Sequence, residues 1–189
     1  EKKLEQIHLL LGFEGINYHS DDYYSLLVYS SLLGGGMSSR LFQEIREKRG
    51  LVYGISSFSS SYTDTGIFGI YCGTGEHQIT ELIPVLCDEL NSSPTTITEQ
   101  EIKRGKAQLK ASLMMGRESA FRRCESAARQ LLVFNRVIEP SEILKKIENV
   151  NTESVKKIAQ LIVSRPLTIS SIGPIKKLET LDKIQDRLK

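Results

Sequence analysis

The residue types best suited to metal or nucleophilic chemistry are spaced for neither. His8 falls in an apolar run, His19 in a polar stretch and His77 at the opening of a helical pattern, and none has a second histidine four residues on to share one helical face. Cys72, Cys87 and Cys124 are odd in number and far apart within regular segments, which suits buried free thiols better than a disulfide framework or a paired-cysteine zinc site. No metal site is expected from this chain alone. Gly34, Gly35 and Gly36 could cradle a phosphate, but no Gly-Lys-Ser/Thr follows, and they come after a helical pattern instead of a strand. Past them, Glu44, Glu47, Lys48 and Arg49 stand at spacings of three and four, which a solvated helix face explains without any site. Arg46 in the same stretch and Tyr53 beyond it also admit a plain account, with Arg46 paired to Glu14 or Glu44 and Tyr53 packed with its hydroxyl hydrogen-bonded.

Hydrophobic periodicity supplies the frame that must position these residues. Ile7, Leu9, Leu11 and Phe13 alternate with His8, Leu10, Gly12 and Glu14, the period of a strand. Asp21 and Asp22 then precede a helical stripe of Tyr23, Leu26, Leu27, Ser30 and Leu33 that the glycines stop. A second α-helix is expected from Ser38 or Ser39 through Leu41, Phe42 and Ile45, with Gly50 as its C-terminal stop. Two strands follow, over residues 52–62 and 67–72, joined by a hairpin turn at Thr63, Asp64, Thr65 and Gly66. Ser57 to Ser61 could lie on an edge strand open to peptide addition.

The rest reads as mostly helical. Ile79, Leu82, Ile83, Leu86, Cys87 and Leu90 form one stripe, in which Pro84 must either kink the helix or mark its first turn. Thr98 and Glu101 have capping-box spacing and open a helix that Gly116 ends. Further helices are expected over residues 118–134 and 141–147 and around Val155, Ile158, Ala159 and Ile162, before a last strand over 167–172 closed by Gly173 and Pro174. This order implies one α+β domain over residues 1–189, a two-layer sandwich with a mostly antiparallel sheet covered by helices.

Composition bounds the function classes. With 40% hydrophobic and 25% charged residues the 189-residue chain can build a full core, and a net charge of +2 offers no global field for nucleic acid or an anionic membrane. No apolar run approaches the roughly 18 residues of a bilayer span, and Glu1, Lys2 and Lys3 begin no signal peptide. The first residue is not Met, and we read the chain as a piece of a longer protein.

The run GGGMSSRLFQEIREKRGLVY from Gly34 to Tyr53 resembles the signature of the C-terminal, non-zinc-binding domain of pitrilysin/insulinase-family zinc metallopeptidases, closest to the processing-peptidase branch. Gly12-Phe13-Glu14-Gly15, the hairpin strand GIFGIY from Gly66, and the helix pair around Glu101 and Glu118 agree, so the similarity covers most of the chain. The resemblance implies a LuxS/MPP-like half-domain, the C-terminal half of a longer enzyme, inactive alone. It implies Zn2+ in the full enzyme, bound by an N-terminal half through an inverted His-x-x-Glu-His motif and a distal Glu, with none on this chain. It gives an Arg and a Tyr seven residues apart to the C-terminal domain, and Arg46 and Tyr53 match that spacing. Arg46 would hold a substrate carbonyl or carboxylate, and Tyr53, substrate-binding and catalytic, would donate its hydroxyl to the developing oxyanion. The implied partners are the N-terminal zinc-binding domain or subunit and a peptide or presequence substrate, with a homodimer left open. The implied setting is cytoplasmic or mitochondrial-matrix-like, with the periplasm also open. The rival reading is a non-proteolytic structural subunit like the core proteins of a respiratory complex.

Overall fold

The computed structural model describes residues 4–189. Glu1, Lys2 and Lys3, read above for the lack of a signal peptide, lie outside the described residues. Strand β1 (Ile7–Glu14) buries every second side chain, as its alternation predicts. It sits inside a sheet with β2 (Val52–Ser61), β3 (Gly66–Thr74) and β4 (Leu167–Ile172) in the order β2-β3-β1-β4, every neighbouring pair antiparallel. The fold is thus the α+β two-layer arrangement expected, with β2 and β4 as its edges.

One face of the sheet is the core. Leu9, Leu11, Phe68 and Ile70 are fully buried there beneath α1 (Tyr23–Gly34), α2 (Ile79–Thr96) and α6 (Thr152–Val163). Buried Tyr29 of α1 stacks on Phe68 with ring centroids 5.4 Å apart. The opposite face has no such cover among the described residues: Phe58, Ile67, Tyr71 and Ile172 are exposed on it, and His8 and Tyr71 hydrogen-bond across it at 2.8 Å.

The remaining helices are α3 (Glu99–Gly116), α4 (Ala120–Phe134), α5 (Pro140–Asn149) and α7 (Leu181–Arg187). Thr98 and Glu101 close both halves of the expected capping box on α3. Four features depart from the sequence reading. Pro84 stands beyond the first turn of α2, and the helix continues through it and through Pro94, because Leu82, Ile83, Leu86 and Leu90 are wholly buried around the missing bond. The segment after Gly36 is not a regular α-helix, as described below. Past β4 the chain forms a 3-10 turn and α7, whose Ile184 is fully buried. Cys124 is exposed, whereas Cys72 and Cys87 are buried as expected. No helix among the described residues is long and apolar enough to cross a membrane.

Candidate functional site

The residues around Arg46 and Tyr53 are shaped by constraints at both ends of one segment. At its start the glycine turn lies directly on β2: a Cβ at Gly34 would run into the backbone nitrogen of Ser57, so only glycine permits the approach. Ser57 also donates its hydroxyl to the Ser30 carbonyl at 2.7 Å. At its end Gly50 takes φ +63°, a left-handed stop. The Leu51 carbonyl beyond it accepts from Thr74 Oγ1 at 2.6 Å, tying the chain to β3.

Between those ends residues Phe42–Glu47 wind as a π-helix, where an α-helix was expected. The Lys48 amide reaches back five residues to Gln43 O at 3.0 Å, and the Leu51 amide closes on Ile45 O at 3.0 Å. Leu41, Phe42 and Ile45 are buried. The wider winding lets all three stay in the core while the chain still meets the start of β2. Such segments are often found at functional positions. β2 then opens with a bulge, since Val52 pairs with Thr74 and Gly54 with Gly73, leaving Tyr53 as the extra residue. A bulge re-aims a side chain, and Tyr53 is 64% exposed.

The charges around this segment divide unequally. Glu44 takes Lys48 Nζ at 2.6 Å and also the Arg49 guanidinium, and these two hydrogen bonds hold its carboxyl below the usual carboxylate range. Glu14 lies 3.5 Å from Arg165. Both carboxylates that could have neutralised Arg46 are therefore engaged elsewhere, and the plain pairing considered above is not realised. Arg46 instead lays its guanidinium over the Phe42 ring, 4.7 Å from the centroid, with no ion pair or side-chain hydrogen bond among the described residues. Nor is Tyr53 packed with a bonded hydroxyl: it is exposed and its hydroxyl has no partner among the described residues. No hydrogen bond joins Arg46 to Tyr53. What the arrangement offers is a planar five-donor cation and a phenolic donor, both open to a ligand that brings acceptors.

Other expectations fare differently. β2 is an edge strand, but Ser57 and Ser61 point their hydroxyls inward, Ser61 donating to the Ile16 carbonyl at 2.6 Å. Burial pushes the Cys72 and Cys87 thiols up to about 12, which suits inert core residues. Among the described residues no group of three or more His, Cys, Asp or Glu could hold a metal ion, so the side chains present do not fit a zinc centre. One feature escaped the sequence reading altogether. Arg40, just ahead of the π-helix, forks onto Glu101 with Nε–Oε1 at 2.6 Å and Nη2–Oε2 at 3.0 Å, and also donates to Thr96 Oγ1 and O, each at 2.8 Å. The partners lie 61 and 56 residues away, so no local pattern marks them.

Comparison with known proteins places these observations. Residues 1–109 match the family model described as the peptidase M16 inactive domain. Over 92% of its length the chain is 37% identical to a zinc protease of Rickettsia bellii, of which it spans 42%. It is 35% identical to a zinc protease of Bacillus subtilis over 92% of the chain and 43% of that protein. The beta subunit of human mitochondrial-processing peptidase is 29% identical over the whole chain, which spans 40% of it. The fold matches a chain of complex III2 from Candida albicans, solved with Inz-5 bound, at a TM-score of 0.89 and 22% identity, covering 100% of this chain and 48% of that one. The chain spans less than half the length of these relatives. With the fold, the Gly34 to Tyr53 run and the family match in agreement, this chain belongs to the M16, or pitrilysin/insulinase, peptidase family as its inactive, C-terminal domain.

Proposed function

We propose that this domain is the substrate-holding half of a zinc-dependent metalloendopeptidase that cleaves peptides or presequences, in a cytoplasmic or matrix-like compartment. In this reading the zinc belongs to an N-terminal half or partner subunit, which is supported by the lack, among the described residues, of any group of three or more His, Cys, Asp or Glu that could hold a metal ion. Arg46 takes a backbone carbonyl or a carboxylate of the extended substrate through its fork. Tyr53 binds alongside and gives its hydroxyl to the oxygen of the scissile carbonyl as negative charge develops there, an interaction stronger in the transition state than in the ground state.

The observation that carries this reading is the uneven use of charge. Lys48 and Arg49 converge on Glu44 while Arg46, between them and Phe42, is left without a carboxylate. A segment built only as a solvated face would have little reason to spare the residue whose position matches the family's substrate arginine. The second reading, a structural subunit without proteolysis, draws on the likeness to a complex III2 chain, which bears on the fold alone.

The test is reconstitution. A zinc-bearing half mixed with this domain should hydrolyse an unstructured peptide, and neither half should do so alone. Full activity of the zinc-bearing half by itself, or no activity in a mixture that co-elutes as a complex, would remove the proposal.

A further inference from the structure

The Arg46 segment is gripped from outside by one face of α3. Glu101, Gly105 and Gln108 stand at helical spacing on that face. Gly105 lets α3 approach α1 closely, since a Cβ there would meet the Val28 side chain at 3.3 Å. Gln108 donates to the Gly35 carbonyl at 2.6 Å and accepts from Ser31 at 3.2 Å, fixing the glycine turn. Glu101 takes the guanidinium of Arg40 in two bonds while still accepting from the Thr98 amide and hydroxyl at 2.8 Å each. The Arg40 and Glu101 side chains are only 14% and 13% exposed.

A shielded ion pair of this kind contributes little net stability compared with well-packed apolar side chains, and what it supplies is geometry. Its location says which geometry. Arg40 is two residues ahead of the π-helix, and the far end of that helix is already tied to β3 through Leu51 and Thr74. With both ends fixed, the chain between them has to accommodate the wider winding that leaves Arg46 over Phe42 and delivers Tyr53 at the bulge.

We propose that Arg40, clamped on Glu101, is a positioning residue that holds the π-helical segment and through it sets the placement of Arg46 and Tyr53. Lysine cannot replace it, because a point charge cannot meet Glu101 in two bonds and Thr96 in two more.

The proposal rests on the substrate-holding reading of Arg46, and the experiment separates the two. In the complex with the zinc-bearing half, Arg40→Lys, Arg46→Ala and the double variant are compared by kcat and KM for peptide hydrolysis. Amide hydrogen exchange at Lys48, Gly50 and Leu51 is followed against α1 in the same proteins. Arg40→Lys should lower kcat roughly 10-fold or more. In the double variant KM should be no higher than in the poorer single, because that part of the effect runs through Arg46, while kcat stays as low as in Arg40→Lys, because that part runs through Tyr53. The three amides should exchange faster while α1 is unchanged. KM increases that multiply in the double variant, or faster exchange throughout the domain, make Arg40 a general pillar and overturn the proposal. If Arg46→Ala leaves hydrolysis intact, the substrate reading falls and exchange alone decides the clamp: selective loss of protection at the three amides upholds it, and unchanged protection overturns it.

Discussion

The sheet with α1, α2 and α6 and the helix α4 are stabilised in opposite ways. The first region buries apolar side chains from every element, Leu11, Leu33, Phe68, Leu86 and Ile158 among them completely. Helix α4 runs 15 residues and buries none, and Phe121 and Leu132 on it are 76% and 84% exposed. Its helicity comes from local devices: Ser119 caps the start by accepting from the Arg122 amide, Glu125 pairs with Arg129 one turn on, and Asn135 ends it at φ 54°. Caps and surface pairs contribute on the order of 1 kcal/mol or less each. A buried large apolar side chain contributes about 1.5–3 kcal/mol. The family match covers residues 1–109, which hold Arg46, Tyr53 and most of the sheet, and ends inside α3. The candidate site is therefore mounted on the part of the molecule that packing makes rigid, while α4 follows its own local signals.

Thiol labelling probes this contrast with the largest expected effect. Cys124 on α4 should react with a maleimide at the rate of a free thiol. Cys72 and Cys87 should be slower by roughly 10³-fold or more, since only global opening exposes them. Comparable rates at Cys72 and Cys124 would mean that the sheet region is no more rigid than α4. A smaller effect follows in urea denaturation: Phe68→Ala should destabilise by about 3–5 kcal/mol and Leu132→Ala by no more than about 0.5 kcal/mol. A large loss at Leu132 would show that α4 packs against something in solution.

Much of the first region was legible because its signals are local. The β1 alternation, the residues 63–66 turn and the Thr98–Glu101 box each bind sequence neighbours, and each formed where expected. The π-helix was not legible, because the choice between bonds to the fourth and the fifth preceding residue is made by the tie at Leu51 and the burial of Ile45. The exposure of Cys124 was hidden for a related reason. An apolar stripe shows that a helix has a face, and only tertiary structure shows whether anything covers it. Of the candidate site, Arg46 and Tyr53 were singled out through the family resemblance, whereas the freedom of Arg46 from Glu44 and Glu14 appears only once Lys48, Arg49 and Arg165 are seen to occupy those carboxylates.

The most direct test of the account is steady-state peptide hydrolysis by the complex of this domain with a zinc-bearing half, comparing wild type with Tyr53→Phe and Arg46→Ala. Tyr53→Phe should lower kcat by roughly 10²-fold with little change in KM, and Arg46→Ala should raise KM, as the proposed roles require, with Tyr53 acting on developing charge and Arg46 holding substrate throughout. Wild-type kinetics in both variants would contradict the account and leave this domain as a wall of the chamber.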